Sequence, residues 1–378
     1  MKDIPFYQSS IGDEELSQLK AVLELNRDEN KVLELEENIA NFVGAKFAIA
    51  TCNATSAIHL ALSAIKLKRG DKILMSVNSF VNIPEVVRHF DAEPIFIDIN
   101  NEDMNIDVNK FEKALEENKT KKLRGAIITF VAGQTPDLDR IYDIAEKYGI
   151  ILIEDATCAL GVTYKDETVG SLRADMTIFS TNPSNGKYSV SRSGMIVTNN
   201  EEIAERAKLL RTHAITTTYD DFGNLDYIYD VVDIGHKYDI SELDAAFSLA
   251  QLQKTNKFIK RRKEIAKIYK ERLSGIKHVT IPSHKEEHIF TQFIIKISRN
   301  RDAFARALKE KGIATGLNYI PLHLLSYYKN KYSIKITTFS TALTSYQQIL
   351  SIPMFPSLTD DEVNYICDQI IEIASEWV

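Results

Sequence analysis

Glycine is scarce in this chain: 15 of 378 residues, about 4% against an average near 7%. Cysteine is scarcer. Cys52, Cys158 and Cys367 are too few for a disulfide framework and lack the paired spacing of a zinc site, so a reducing cytoplasm is the expected compartment. No apolar run approaches the roughly 18 residues of a membrane span. The start, MKDIPFYQSSIGDEELSQL, puts acids where a secretory signal needs an apolar core. A soluble protein without a membrane partner is expected. Positive charge is in deficit too: 46 Lys and Arg against 53 Asp and Glu give −7, which argues against a general nucleic-acid binder.

What remains is an ordinary globular composition, 44% hydrophobic and 26% charged, with no repeat or low-complexity segment. From residue 13, Leu16, Leu19, Leu23 and Leu25, then Leu33, Leu35, Ile39 and Phe42, recur at helical spacing up to Gly44. Short apolar runs follow, alternating with helical stretches: Ala48–Thr51, Ile73–Ser76, Pro94–Ile97, Ala126–Phe130, Ile150–Ile153, Met176–Ser180 and Met195–Thr198. Runs of four or five residues that are apolar throughout fit strands buried on both faces of a mainly parallel sheet. The alternation predicts a doubly wound α/β domain. Ser241–Phe258 and the basic run Lys260–Arg272 should form a connecting helix, the basic residues reading as a solvated face. We expect a large α/β domain over 1–250 and a smaller α+β domain over 251–378.

In doubly wound sheets ligands bind beyond the carboxyl ends of the strands. Cys52–Ser56, Asn78–Phe80, Ala132–Gln134, Asp155–Cys158 and Ser180–Lys187 take those places. Asn53-Ala54-Thr55-Ser56 opens a helix whose amides could receive a phosphate, or is simply a cap. Asp155 ends IILIEDAT as either a helix-starting acid or the partner of a cationic ligand atom.

Nine segments in order, among them NATSAIHLAL, GQTPDLDRI, IEDATCALGVTYKDETVGSL, ISELDAAFSLAQLQ and NYIPLHLLSYY, together resemble the DegT/StrS-type sugar aminotransferases over nearly the whole chain. That resemblance implies a type I PLP-transferase (aspartate-aminotransferase-like) α/β fold, pyridoxal phosphate or pyridoxamine phosphate as cofactor, a nucleotide-linked keto-sugar as substrate, and a homodimer with shared sites. It implies that Asp155 faces the pyridine nitrogen, Phe80 stacks on the ring, and Ala54, Thr55 and Ser180 hold the phosphate. Cys158 falls near the cofactor hydroxyl, where it reads as a packed small residue rather than a nucleophile. Lys237 stands where the family reaches a neighbouring subunit's phosphate, or is a plain surface lysine. Tyr319 and His323 fall in a loop near the substrate, His323 as a hydrogen-bonding residue or ordinary loop structure.

The sequence also departs from that family. Members read roughly F-S-x-H-P-x-K, where FSTNPSNGK stands here. Counting from Phe179 puts Asn185 at the position of the Schiff-base lysine and Asn182 at the histidine. Lys187 lies two residues on, some 6–7 Å away in extended chain. An asparagine amide is neither nucleophile nor base. Three functions therefore stay open. The chain is an aminotransferase using Lys187, a lysine-less pyridoxamine-phosphate enzyme of the dehydratase kind, or a catalytically altered homologue that binds a nucleotide-sugar without transamination. The glycine shortage falls partly here: Ala54, Ser191 and Ser193 occupy positions the family fills with glycine, the residue that lets backbone approach a ligand closely.

Overall fold

The structure, a computed structural model, describes residues 3–24, 30–181, 190–217 and 228–377. Seven strands form the main sheet in the order Phe47–Thr51, Gly194–Thr198, Met176–Phe179, Ile151–Asp155, Leu123–Thr129, Lys72–Ser76, Glu93–Ile97. Six run parallel, and Gly194–Thr198 runs antiparallel to both its neighbours. The strand Gly194–Thr198 is buried at every position, and its apolar composition is that of its parallel neighbours. It follows Met176–Phe179 in the sheet order and pairs with it antiparallel, Phe179 opposite Met195.

Helices cover both faces, which is why these strands carry no polar alternation. Lys31–Val43, Val108–Glu117 and Leu138–Tyr148 bury Leu35, Phe111 and Ile141 on one side. Ala54–Ala64, Asn82–His89 and Glu201–Arg211 bury Ile58, Val86 and Leu210 on the other. A third core lies around the antiparallel sheet of Val279–Thr280, Phe293–Ile297 and Ile349–Ile352, packed by the helices Arg301–Glu310 and Asp360–Ser375.

The helix Glu242–Leu273 joins these cores. Ala245 and Leu249 belong to the first and Ile265, Tyr269 and Leu273 to the third, so it crosses the expected 250/251 boundary without a break. Its basic run is in part the solvated face expected from the sequence, with Lys260, Lys263 and Lys267 exposed. Arg261 donates to the Leu358 carbonyl and Arg272 to Asn364 and Asp368, tying down the last helix, while Arg262 turns inward.

The helix Asp13–Glu24 forms where the leucine spacing predicts one, but with a different inner face. Leu16 and Leu23 are exposed, whereas Glu15 is fully buried. Glu15 is held there by the Gly12 amide at 2.8 Å, by Gln251 and by Lys254. Buried charge must be paired, and the cation comes from a helix about 240 residues away, invisible to local periodicity. Leu25 lies outside the described residues.

Candidate functional site

The carboxyl ends of four sheet strands converge on Asp155. It closes the strand Ile151–Asp155, in register with Thr129 on one side and Ile178 on the other. Its side chain is buried, and Oδ1 accepts from the Thr157 hydroxyl at 2.7 Å and the Thr157 amide at 3.4 Å. No lysine, arginine or histidine pairs with it among the described residues. Burial therefore raises its pKa, and the Thr157 bonds and the nearby Thr129 hydroxyl only partly oppose that.

Around it the chain gathers an aromatic and polar group. The Tyr319 hydroxyl lies against the Cys158 thiol near Asp155. Burial first, then the Asp155 charge, push that thiol up to about 12, so Cys158 stays protonated at neutral pH and is no nucleophile. The Tyr319 amide donates to Asn78 Oδ1 at 3.3 Å, and Asn78 is itself buried beyond the strand Lys72–Ser76. Next to Asn78, Phe80 is 55% exposed, its ring 5.9 Å from that of Tyr319 at 51°. An aromatic face so open beside a buried anion suits a flat cationic ring.

The phosphate side is built from a helix start. Asn53 caps Ala54–Ala64 by accepting from the Ser56 amide at 2.9 Å. The amides of Ala54 and Thr55 have no carbonyl one turn back, so they are left to an anion. Thr55 Oγ1 accepts from Asn82 Nδ2 at 3.3 Å. Gly194 crosses this start so closely that a Cβ there would lie 2.3 Å from the Asn53 carbonyl oxygen; here glycine is required by contact. Ser180 donates to the Ser193 carbonyl at 3.1 Å.

The serines at family glycine positions have partners of their own. Ser193 accepts from Ser248 at 3.2 Å and also meets Thr181, and Ser191 donates to Asp244 at 2.8 Å. Both hydroxyls tie this edge to the start of the long helix.

Other expected residues stand apart. His323 is fully buried, with Nε2 3.1 Å from the Ile336 carbonyl and its ring 5.1 Å from Phe339, which gives it a packing role. Lys237 is exposed and paired with Asp239 at 2.8 Å. Asn182, Asn185 and Lys187 lie outside the described residues. Three residues that the sequence reading did not single out join the site: Thr157, Tyr7 and Arg262. The last had a signal: Gln251, Thr255, Phe258 and Arg262 step by four, three and four, one face of a helix.

A buried carboxyl with no cation partner among the described residues, an exposed aromatic side chain and a helix start, all at the carboxyl ends of the sheet strands, suit a phosphorylated, protonated heteroaromatic. The comparisons agree in class. A profile of the DegT/DnrJ/EryC1/StrS aminotransferase family matches residues 9–371, and the chain belongs to this family. Among relatives it is 33% identical to protein MJ1066 of Methanocaldococcus jannaschii, over 99% of this chain and 98% of that one. It is 30% identical to the spore coat polysaccharide biosynthesis protein SpsC of Bacillus subtilis, over 98% and 97%. The fold matches Helicobacter pylori PseC, an aminotransferase of pseudoaminic acid biosynthesis, with a TM-score of 0.89 at 23% identity, covering 100% of both chains. It also matches Spr1654 of Streptococcus pneumoniae in its PMP form with a TM-score of 0.90 at 24% identity, over 99% of this chain and 98% of that one. The architecture is the type I PLP-transferase α/β fold.

Proposed function

We propose that this chain binds pyridoxal phosphate or pyridoxamine phosphate around Asp155 and acts on a nucleotide-linked keto-sugar in glycan or polysaccharide biosynthesis. The observation that carries the reading is Asp155: a buried carboxylate fixed on one oxygen by Thr157, with no cation beside it among the described residues. Asp155 would hold a protonated ring nitrogen, Phe80 would lie against the ring, and the Ala54 and Thr55 amides with Ser180 would hold the phosphate. The ring withdraws electrons from the carbon that carries the amino group, the chemistry this cofactor class contributes. Asp155 keeps the ring nitrogen protonated, and the neutral Cys158 and Tyr319 pair excludes water from that edge.

Several findings support the biological side. Family membership, the spore-coat relative and the pseudoaminic-acid neighbour favour sugar chemistry, and the PMP-form neighbour favours the cofactor. Exposed apolar side chains at Leu16, Leu23, Leu33, Val231 and Ile234 favour a homodimer, and the scarcity of cysteine favours a reducing cytoplasm. In this reading residues 1–250 supply the cofactor frame and 251–378 close over it.

Asn185 gives the reading its second form, in which cofactor is held without a covalent bond for dehydration or for binding alone. Incubation with pyridoxal phosphate, borohydride reduction and peptide mass spectrometry tests this. A label on Lys187 supports transamination through that residue, and retained but unlabelled cofactor supports the non-covalent form. Absence of any cofactor affinity contradicts both.

A further inference from the structure

Four of the chain's eight histidines gather around the helix Ala54–Ala64. The ring of His59, on that helix, lies 4.9 Å from His236 and 5.6 Å from His89, and stacks on Phe90 at 4.6 Å. His236 stacks in turn on Tyr238, 4.8 Å away at 10°. His213 joins through its amide, which donates to the His236 carbonyl at 2.8 Å. Among the described residues no group of three histidines, cysteines or carboxylates is placed to hold a metal. The corner is a cluster of packed rings.

Its hydrogen bonds suit neutral rings. Ser63 Oγ gives its one proton to the His59 carbonyl at 3.0 Å, so it accepts from His236 Nε2 at 3.0 Å. The Tyr238 hydroxyl lies 3.4 Å from His59 Nδ1, whose lone pair protonation would remove. A further proton also finds no anion. The titratable groups that act on these rings are His89, His213, and Tyr238 with Cys52 behind it, and no carboxylate pairs with any of the four histidines among the described residues. On the same elements Arg88, Arg211 and Lys237 are ion-paired with Glu93, Glu36 and Asp239, and Glu85 is exposed. Burial first, then the neighbouring rings, lower the His59 pKa to about 4; burial and then His213 lower that of His236.

The cluster also stands where two parts of the chain are stitched together. In residues 235–238 the His236 and Tyr238 amides donate to the Leu210 and Arg211 carbonyls at 2.7 and 3.0 Å, and the Tyr238 carbonyl accepts from the Cys52 amide at 2.9 Å. Gly235 runs so close that a Cβ there would lie 2.4 Å from the Ala214 amide nitrogen. Cys52 precedes Asn53, the cap of Ala54–Ala64. Two cationic rings this near, with no counter-charge, repel. We propose that His59 and His236 form an acid-released clamp: neutral, they hold residues 235–238 against Ala54–Ala64, and protonated, they part and loosen the Cys52–Asn53 strand end. The clamp stands on the ring geometry alone; only its effect on a bound phosphate rests on the cofactor reading.

Urea denaturation and amide hydrogen exchange of the full chain, from about pH 7.5 to about pH 5, test it. Unfolded histidine titrates near pH 6.5 and folded His59 near 4, so the folded chain binds fewer protons. The stability these rings contribute is full above about pH 6.5 and is lost as pH falls, the folded-to-unfolded ratio dropping by up to about tenfold per pH unit for each ring. His59→Phe, which keeps an aromatic ring on Phe90, and His236→Gln, which keeps a donor toward Ser63, should each remove one such share. In the wild type the Cys52, His236 and Tyr238 amides should lose protection with acid before the main sheet does, and in the variants they should not. Should one variant fail to fold, the other and the wild-type exchange profile carry the test. An acid response unchanged in the variants, or these three amides protected as long as the sheet, overturns the proposal. Pyridoxamine phosphate titrated at both ends of the range reads the consequence: its affinity should fall with acid severalfold more in the wild type than in His59→Phe, and equal falls count against the clamp. A protein that takes no pyridoxamine phosphate but shows the histidine-dependent response contradicts the cofactor reading and leaves the clamp standing. One that takes the cofactor and lacks the response does the reverse.

Discussion

Glu154 and Asp155 are consecutive residues of one strand, both buried, yet the chain treats them differently. Glu154 faces one side of the sheet, where the Tyr142 hydroxyl donates to Oε1 at 2.5 Å and the Thr177 hydroxyl to Oε2 at 2.6 Å. Both of its oxygens are satisfied from within. Asp155 faces the other side, with Thr157 on one oxygen and no cation paired with it among the described residues. Burial raises the pKa of both. A strand sends successive side chains to opposite faces, so one carboxyl is built into the core and the next is turned to a ligand. Incomplete satisfaction, and not burial, marks the functional one.

Four substitutions or conditions sharpen this difference, the largest effect first. Glu154→Ala should destabilise the protein by about 3–4 kcal/mol, because it orphans two buried hydroxyls and leaves a cavity. Chemical denaturation measures this, and cofactor affinity per folded molecule should change little. Asp155→Asn should do the opposite. Stability should be equal or slightly higher without an unpaired buried charge, while pyridoxamine phosphate affinity should fall by about 1.5–3 kcal/mol, roughly ten- to a hundredfold.

Acidity offers a third test. Both carboxyls have folded pKa values above their unfolded ones. Above about pH 4 the unfolded chain therefore gives up protons that the folded chain keeps. Stability contributed by these groups is full below that point and falls as pH rises through the folded pKa values, by at most about 1.4 kcal/mol per pH unit for each group. In denaturation across pH, Asp155→Asn should remove part of this slope, and so should bound cofactor, whose cation lowers the Asp155 pKa. Bound cofactor should leave the Glu154 share in place. The smallest effect belongs to Thr157→Val, which removes one hydroxyl from Asp155. A loss near 1 kcal/mol in cofactor affinity is expected, read by the same titration.

The same contrast explains what the sequence could and could not disclose. Asp155 was legible as a candidate because it closes an apolar run, although the residues alone left it between a helix-starting acid and the partner of a cationic ligand atom. The alternation of strands and helices was legible for the same reason, since burial on both faces writes a continuous apolar pattern. Arg262 was not, because a basic run looks alike whichever residue turns inward, and the answer depends on the loop around Ile289 that packs on it. Glu15 was hidden likewise, its partners Gln251 and Lys254 being brought by the fold alone. His323, which the sequence left open between a hydrogen-bonding residue and ordinary loop structure, lies with Nε2 3.1 Å from the Ile336 carbonyl. A histidine in a family substrate loop is here folded into the core against Phe339.

The most direct test is titration of pyridoxamine phosphate into wild-type protein, Asp155→Asn and Glu154→Gln, a cofactor that needs no lysine to bind. The account predicts saturable binding by the wild type and by Glu154→Gln, with affinity at least about tenfold weaker for Asp155→Asn. No binding by the wild type, or equal binding by all three, would contradict it.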